Sequence, residues 1–177
     1  WFDRELGKRI ISVFDPEHGL SPRNLASTTI GDELVAATGG RSRAFAVSGK
    51  DRSAIIPAGR RGVAYWYEDE TGRFGNTDWY GATPPAWVHA WNDARPAERY
   101  LGAEWTPLEA SRRAFGEAST ANEHARPNPA VGRAFPHRLP RRADQTYFAA
   151  LKELPVFDEL TLAFARGLGE YGSIVFS

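Results

Sequence analysis

A chain of 177 residues with 22 basic and 22 acidic side chains is long enough to bury a core and carries no net charge. No global field therefore draws it to nucleic acid or to an anionic membrane, and any anion site must be local. The absence of cysteine excludes disulfides, thiolate metal sites and a cysteine nucleophile, without separating cytosol from periplasm.

No apolar run approaches the length of a membrane span, and no cationic-then-apolar signal segment opens the chain. Methionine is absent, the first residue is Trp1, and Ser173 to Ser177 reads as a strand with no turn after it. The expectation is that residues 1–177 are an internal segment of a longer polypeptide.

Ser21-Pro22, then residues 23–38, then Gly39-Gly40 predict a first helix. The signals are a hydroxyl N-cap, proline at the first helical position and glycine past the end. Leu25, Ile30, Leu34 and Ala37 would share one buried stripe. Residues 43–48 predict a short buried strand, parallel to its neighbours, with Lys50 and Arg52 just beyond its C-terminal end, where open α/β sheets bind ligands. A second apolar piece at 53–57 is closed by residues 58–62. Residues 63–68 and 73–80 flank Asp69-Glu70-Thr71-Gly72 and predict an antiparallel hairpin.

Pro84-Pro85 predicts the start of a short helix through Trp87, Val88 and Trp91 that stops before Pro96. Residues 96–142, rich in Pro, Arg and Ala with little periodicity, read as a long irregular insertion suited to a lid or a docking surface. Residues 144–154 predict a helix with Tyr147, Phe148, Leu151 and Leu154 inward. A second follows near 158–171, with Leu160, Leu162, Phe164, Ala165 and Leu168 as its apolar positions, and Gly172 precedes the final strand. The whole is an α/β pattern without internal repeats.

Two cations two positions apart at a strand end suit an anion: arginine offers a planar fork and lysine a point charge, both matched to phosphate oxygens. Surface decoration gives the same spacing, so Lys50 and Arg52 stay open between the two on spacing alone. Asp15, Glu17 and His18 invite a metal reading but lie in a Pro/Gly-flanked turn without a partner motif, which favours a solvated turn. His89 sits on a short helix beside apolar residues. His124 and His137 match no zinc spacing. Thr28 and Thr29, read as helical, would bond back to the preceding turn rather than act as nucleophiles. Trp66, Tyr67, Trp79, Tyr80, Trp87 and Trp91 suit a core more than a stacking platform. "GGR" at 39–41 closes a helix, where a P-loop or dinucleotide fingerprint would open one.

"SPRNLASTTIGDELVAATGGRSRAFAVSGKDRSAIIPAG" at 21–59 and "AYWYEDETGRF" at 64–74 resemble the alkaline phosphatase superfamily, in its branch of phosphate-irrepressible alkaline phosphatases and type I phosphodiesterase/nucleotide pyrophosphatases. "WFDRELGKRIISVFDP" at 1–16 and "DELTLAFARGL" at 158–168 resemble further segments in the same order; the likeness is weakest between 96 and 142. The resemblance implies a three-layer α/β/α fold and a secreted or periplasmic metallohydrolase. It also implies two zinc ions and a Thr or Ser nucleophile that cleaves phosphate monoesters or diesters. It assigns Lys50 and Arg52 to the substrate's phosphoryl oxygens, with the nucleophile and every metal ligand outside residues 1–177. The implied partners are a small phosphate ester, not nucleic acid, and the remainder of the same polypeptide. Where relatives often read Ala-Gly-His, this sequence has Ala58-Gly59-Arg60, and Arg60 receives no role. The alternatives are a non-catalytic module with an aromatic hairpin platform, and a sulfatase or phosphonate-ester hydrolase relative.

Overall fold

The computed structural model describes residues 2–109 and 131–168 and, in backbone, 173–176. Two small antiparallel pairs open the chain, β1 (Phe2–Asp3) with β2 (Lys8–Arg9) and β3 (Phe14–Asp15) with β4 (Gly19–Leu20). Helix α1 (Ile30–Ala37) leads into strand β5 (Ala44–Ser48), helix α2 (Asp51–Ala58) and strand β6 (Val63–Glu68). The hairpin partner β7 (Arg73–Gly75), a 3-10 turn at Asp78–Tyr80 and helix α3 (Ala86–Asp93) follow. After a 3-10 turn at Pro96–Tyr100 come β8 (Glu104–Trp105) and β9 (His137–Arg138). The chain then forms helices α4 (Gln145–Leu151) and α5 (Val156–Leu168) and strand β10 (Ser173–Phe176).

By packing the chain divides into two compact units, one of Trp1–Glu68, Arg73–Ala94 and Thr161–Ser177, the other of Asp69–Gly72 and Arg95–Leu160. The first unit holds a four-stranded sheet in the order β10-β5-β6-β7, with β10, β5 and β6 parallel and β7 antiparallel to β6. Every residue of β5 is buried, as a parallel strand covered on both faces requires.

Side chains alternate across a strand, and the two faces of this sheet differ in size. On one face Ala46 lies in register opposite Ala64, and both pack with Trp66 against Ala54, Ile55 and Ala58 of α2. On the other face Val47 lies opposite Tyr65. There the Phe164 ring stacks on Phe74 at 4.4 Å, meets Tyr65 edge-on at 5.6 Å, and lies 5.1 Å and 5.7 Å from Trp87 and Trp91. Of the six sequence-predicted aromatics, Trp66 and Tyr67 are buried, Tyr80 packs partly buried against the α2 cluster, and Trp87 and Trp91 surround Phe164, whereas Trp79 is half-buried against His18. Asn92 closes the arrangement by giving and taking backbone hydrogen bonds with Phe74, at 2.8 and 3.0 Å.

In the second unit the hairpin turn is fixed from both ends of its loop. The Lys152 ammonium holds the Asp69 carboxylate at 2.5 and 2.6 Å. Gly72, at φ 71°, sits so close to the Phe148 ring that a Cβ there would lie 2.3 Å from it, so only glycine serves both the turn and the contact. Asp144 caps α4 by accepting from the Tyr147 N–H, and the buried Tyr147 hydroxyl donates to the Ala97 carbonyl. Tyr147, Phe148, Leu151 and Leu154 are all buried, as their helical spacing predicts.

Three expectations are corrected. The first helix spans Ile30–Ala37 rather than 23–38, because the Ser21 hydroxyl donates to Asp15 Oδ2 at 2.5 Å and accepts from the Arg23 N–H, closing a turn instead of opening a helix. Its stripe is absent: Ile30, Leu34 and Ala37 are exposed, since α1 meets α2 through Gly31, whose Cβ would stand 2.4 Å from the Ala58 carbonyl oxygen. On α5, Leu162 points to solvent while Phe164, Ala165 and Leu168 are fully buried. The apolar piece at 53–57 belongs to α2. His124, Gly172 and the middle of the 96–142 excursion lie outside the described residues.

Phe164→Ala removes the ring at the centre of this aromatic set, and its expected cost is about 3–5 kcal/mol of unfolding free energy, read by urea titration. A loss below about 1 kcal/mol would show that the surrounding rings support one another without it.

Candidate anion site at the start of helix α2

Strand β5 ends at the buried Ser48, whose hydroxyl accepts the Lys50 N–H at 3.3 Å and turns the chain out of the sheet. Lys50 then takes the N-cap position of α2 in extended conformation (φ −139°, ψ 135°), and its carbonyl accepts the Ala54 N–H at 3.2 Å. Asp51 and Arg52 form the first turn. The structure thus brings both sequence-predicted residues to one place, the C-terminal end of a buried parallel strand and the N-terminal, partly positive end of a helix.

Lys50 is exposed and has no hydrogen-bonding or ionic partner for its ammonium among the described residues. The Arg52 guanidinium is about half-buried, with Asp51 Oδ1 3.9 Å away as its ionic neighbour. Both groups of that pair are partly in water, where such a contact is weak and easily exchanged for a stronger anion. The site therefore presents one unengaged cation and one loosely engaged fork above a helix end.

The acidic turn at 15–18 is solvated only in part: Pro16 and Glu17 are exposed and His18 is half-buried. Asp15 is buried; its Oδ1 accepts the N–H groups of Glu17 and His18 at 2.9 and 3.4 Å, its Oδ2 the Ser21 hydroxyl, and the Arg23 guanidinium lies 3.6 Å away. Burial pushes the carboxyl upward, but the Ser21 bond, the two main-chain N–H groups and the His18 charge outweigh it and hold the pKa below the ordinary 3.8. His18 bonds through Nδ1 to Asp78 Oδ1 at 2.9 Å and meets Trp79 edge-on; this bond, against a smaller desolvation effect, raises its pKa above 6.5. His89 is exposed. His137 bonds the Val131 carbonyl and packs with Trp105 and Phe135. Among the described residues no three His, Cys, Asp or Glu side chains come together as a metal would need.

Three residues at the far end of α2 carry roles that the sequence reading missed. Thr29 and Asp32 form a reciprocal capping box on α1, visible in retrospect as Thr-x-x-Asp; Thr28 is exposed and outside the helix. Asp32 is also buried and its Oδ1 accepts the Arg60 and Arg61 N–H groups, both at 2.8 Å. The Arg60 guanidinium donates to the Leu25 carbonyl, so its departure from Ala-Gly-His is used in packing. Nearby, the Tyr80 hydroxyl is buried without a partner among the described residues, and burial followed by the Asp32 charge raises its pKa.

No protein-family model matches the chain. Alkaline phosphatase PhoV of Synechococcus elongatus is 33% identical over 194 residues, covering 99% of this chain and 35% of PhoV. Alkaline phosphatase PafA of Elizabethkingia meningoseptica is 35% identical over 122 residues, 61% of this chain and 22% of PafA. The crystal structure of wild-type PafA superposes with a TM-score of 0.77 at 27% identity, covering 94% of this chain and 34% of that one. This chain is a segment of an alkaline phosphatase superfamily protein.

The segment spans about a third of the length of PhoV and of the PafA structure. A protein of Myroides odoratus named calcium-transporting ATPase is also similar, 30% identical over 150 residues, 82% of this chain and 27% of that protein. A PafA variant in which a Thr, an Asn, and a Lys and an Arg two positions apart are replaced superposes equally well, with a TM-score of 0.77 at 26% identity. The mixed α/β architecture expected from the sequence is thus the PafA fold over this stretch.

The perturbed groups of the acidic turn give opposite pH signatures. Asp15, with its pKa lowered on folding, contributes stability that is complete above 3.8 and lost as pH falls through its lower folded value. His18, with its pKa raised, contributes below 6.5 and loses that contribution as pH rises through its higher folded value. NMR titration is expected to place Asp15 below and His18 above these ordinary values. Asp15→Asn, which keeps an acceptor for the two N–H groups but sets an amide donor against the buried Ser21 hydroxyl, should cost about 1–3 kcal/mol at neutral pH. Ordinary titration of both groups would mean that the turn is open to water.

Proposed function

We propose that the full-length protein is a metal-dependent phosphohydrolase that cleaves phosphate monoesters or diesters through a covalent phospho-threonine or phospho-serine intermediate, with Lys50 and Arg52 holding the phosphoryl group. The observation that carries this reading is the pair's position. An unengaged lysine and a weakly paired arginine stand on the first turn of α2, beyond a buried parallel strand, in a segment whose relatives include named alkaline phosphatases. A Lys and an Arg at the same two-residue spacing are among the positions replaced in the PafA variant, which supports the assignment.

The chemistry follows from where charge gathers. As the bond to the leaving oxygen lengthens, negative charge spreads over the non-bridging oxygens of the transferred group. The guanidinium supplies two parallel N–H donors and the ammonium a mobile point charge, both already in place, so their attraction grows in the transition state without reorganising solvent. The N-terminal end of α2, the positive end of the helix dipole, lies on the same side.

The described residues do not fit the two zinc ions that the family resemblance implies, since no cluster of three candidate ligands is present among them. In this proposal the ligands and the nucleophile come from polypeptide beyond these 177 residues, which also completes the fold. The same reading places the enzyme in the periplasm or outside the cell, with a small phosphate ester as its substrate.

In the full-length protein, Lys50→Ala and Arg52→Ala are each expected to lower kcat/KM for a nitrophenyl phosphate ester by about 10²–10³, the range for removing one transition-state donor. Inhibition by inorganic phosphate should weaken with them, while melting temperature stays nearly constant because Lys50 is exposed and the one ionic contact of the half-buried Arg52 is weak. Unchanged kinetics and unchanged phosphate inhibition in the double variant would overturn the assignment. The 177-residue chain alone, supplied with zinc, is expected to show no turnover; metal-dependent turnover by it would place the nucleophile within the segment.

A further inference from the structure

The C-terminal end of α2 is held by contacts that phosphate binding does not itself use. Asp32 is buried, and no Lys, Arg or His side chain pairs with it among the described residues. Its charge is met by main-chain donors: Arg60 N–H and Arg61 N–H on Oδ1, each at 2.8 Å, and Thr29 N–H on Oδ2 at 3.1 Å. The Thr29 hydroxyl donates to the Pro57 carbonyl at 3.1 Å, inside α2. Gly31 lies flush on the Pro57 and Ala58 carbonyls. Gly59, at φ 68°, lies so near the carboxylate that a Cβ would fall 2.3 Å from Oδ2.

Capping α1 needs only the Thr29 hydroxyl and one acidic oxygen. The other oxygen is spent on the exit of α2, and a buried charge is a costly way to hold a loop. Two features of α2 explain the need. Pro57 has no N–H, so the hydrogen-bond ladder of its last turn is interrupted. Ala54 and Ala58 pack in one cluster with Ala46 and Ala64, small side chains with shallow ridges, so that little besides Ile55 and Trp66 resists sliding or tilting of the helix on its sheet.

We propose that Asp32 is a positioning residue for Lys50 and Arg52, a proposal that rests on the phosphate-binding reading above. With eight residues rising about 1.5 Å each, α2 is a rod of about 12 Å. A tilt at its clamped end moves the cations at the other end by a comparable angle. Misplacement of a positioning group by about 1 Å costs up to about a hundredfold in rate.

The test is a double-mutant cycle in the full-length protein, read at a temperature where every variant is folded by circular dichroism. Asp32→Asn is expected to lower kcat/KM for a nitrophenyl phosphate ester, and to weaken inhibition by inorganic phosphate, by about tenfold. In a Lys50→Ala/Arg52→Ala background the same substitution should change both by less than about twofold, because the groups it aims are gone. An equal fold-loss in both backgrounds, or no loss in the parent, would overturn the positioning role while leaving phosphate binding intact. If Lys50→Ala/Arg52→Ala alone leaves phosphate inhibition unchanged, the phosphate-binding reading fails and this one with it. Thr29→Val keeps the side-chain shape and removes the donation to Pro57. It replaces Asp32→Asn if that variant does not fold, with the same coupling expected.

Discussion

Ala46 and Ala64, opposite one another on adjacent parallel strands, meet Ala54 and Ala58 on the helix above them, and this backbone-close contact sets the height and direction of α2. Larger side chains at the strand positions would lift the helix off the sheet and carry Lys50 and Arg52 with it. All four alanines are buried. Close packing of this kind transmits small changes in volume rather than absorbing them. The position of Lys50 and Arg52 therefore depends on the sheet's thin face as much as on their own turn.

The thick face adds larger rings to what Ile55 and Trp66 bury on the thin one. Tyr65, Phe74 and Phe164 bury large rings where alanine methyls bury little, and their edge-on and offset contacts add to plain area burial. A sheet with one thin and one thick face holds a helix close on the first while deriving most of its cohesion from the second. The polar clamps at Asp15 and Asp32 then fix loops that neither face reaches, each by satisfying main-chain N–H groups with a buried carboxylate.

Much of this was legible in the residues. The apolar run of β5, the Gly72 hairpin, the proline-started α3 and the inward face of α4 all carry local signals that packing had no reason to override. The position of Lys50 and Arg52 just past β5 was legible because a strand end can be read from where an apolar run stops. The start of α1 was not legible, because the Ser21 hydroxyl is claimed by Asp15, six residues back, in a turn no helical pattern foretells. Nor was its buried face, since a helix that docks through Gly31 needs no apolar stripe. α2 escaped notice as a helix because it is short, begins with Asp-Arg-Ser and contains Pro57. The clamp at Asp32 was half-visible as Thr-x-x-Asp; its partners at 60 and 61 are main-chain donors, which any residue but proline would supply.

Fold, family and the proposed phosphate-binding pair meet at the first turn of α2. The most direct measurement is a crystal structure of the full-length protein with orthophosphate bound. The account predicts the Lys50 ammonium and the Arg52 guanidinium within about 3 Å of phosphate oxygens, with Arg52 turned from Asp51 toward the anion. Phosphate held entirely by other residues, with Lys50 in solvent and Arg52 still beside Asp51, would contradict it.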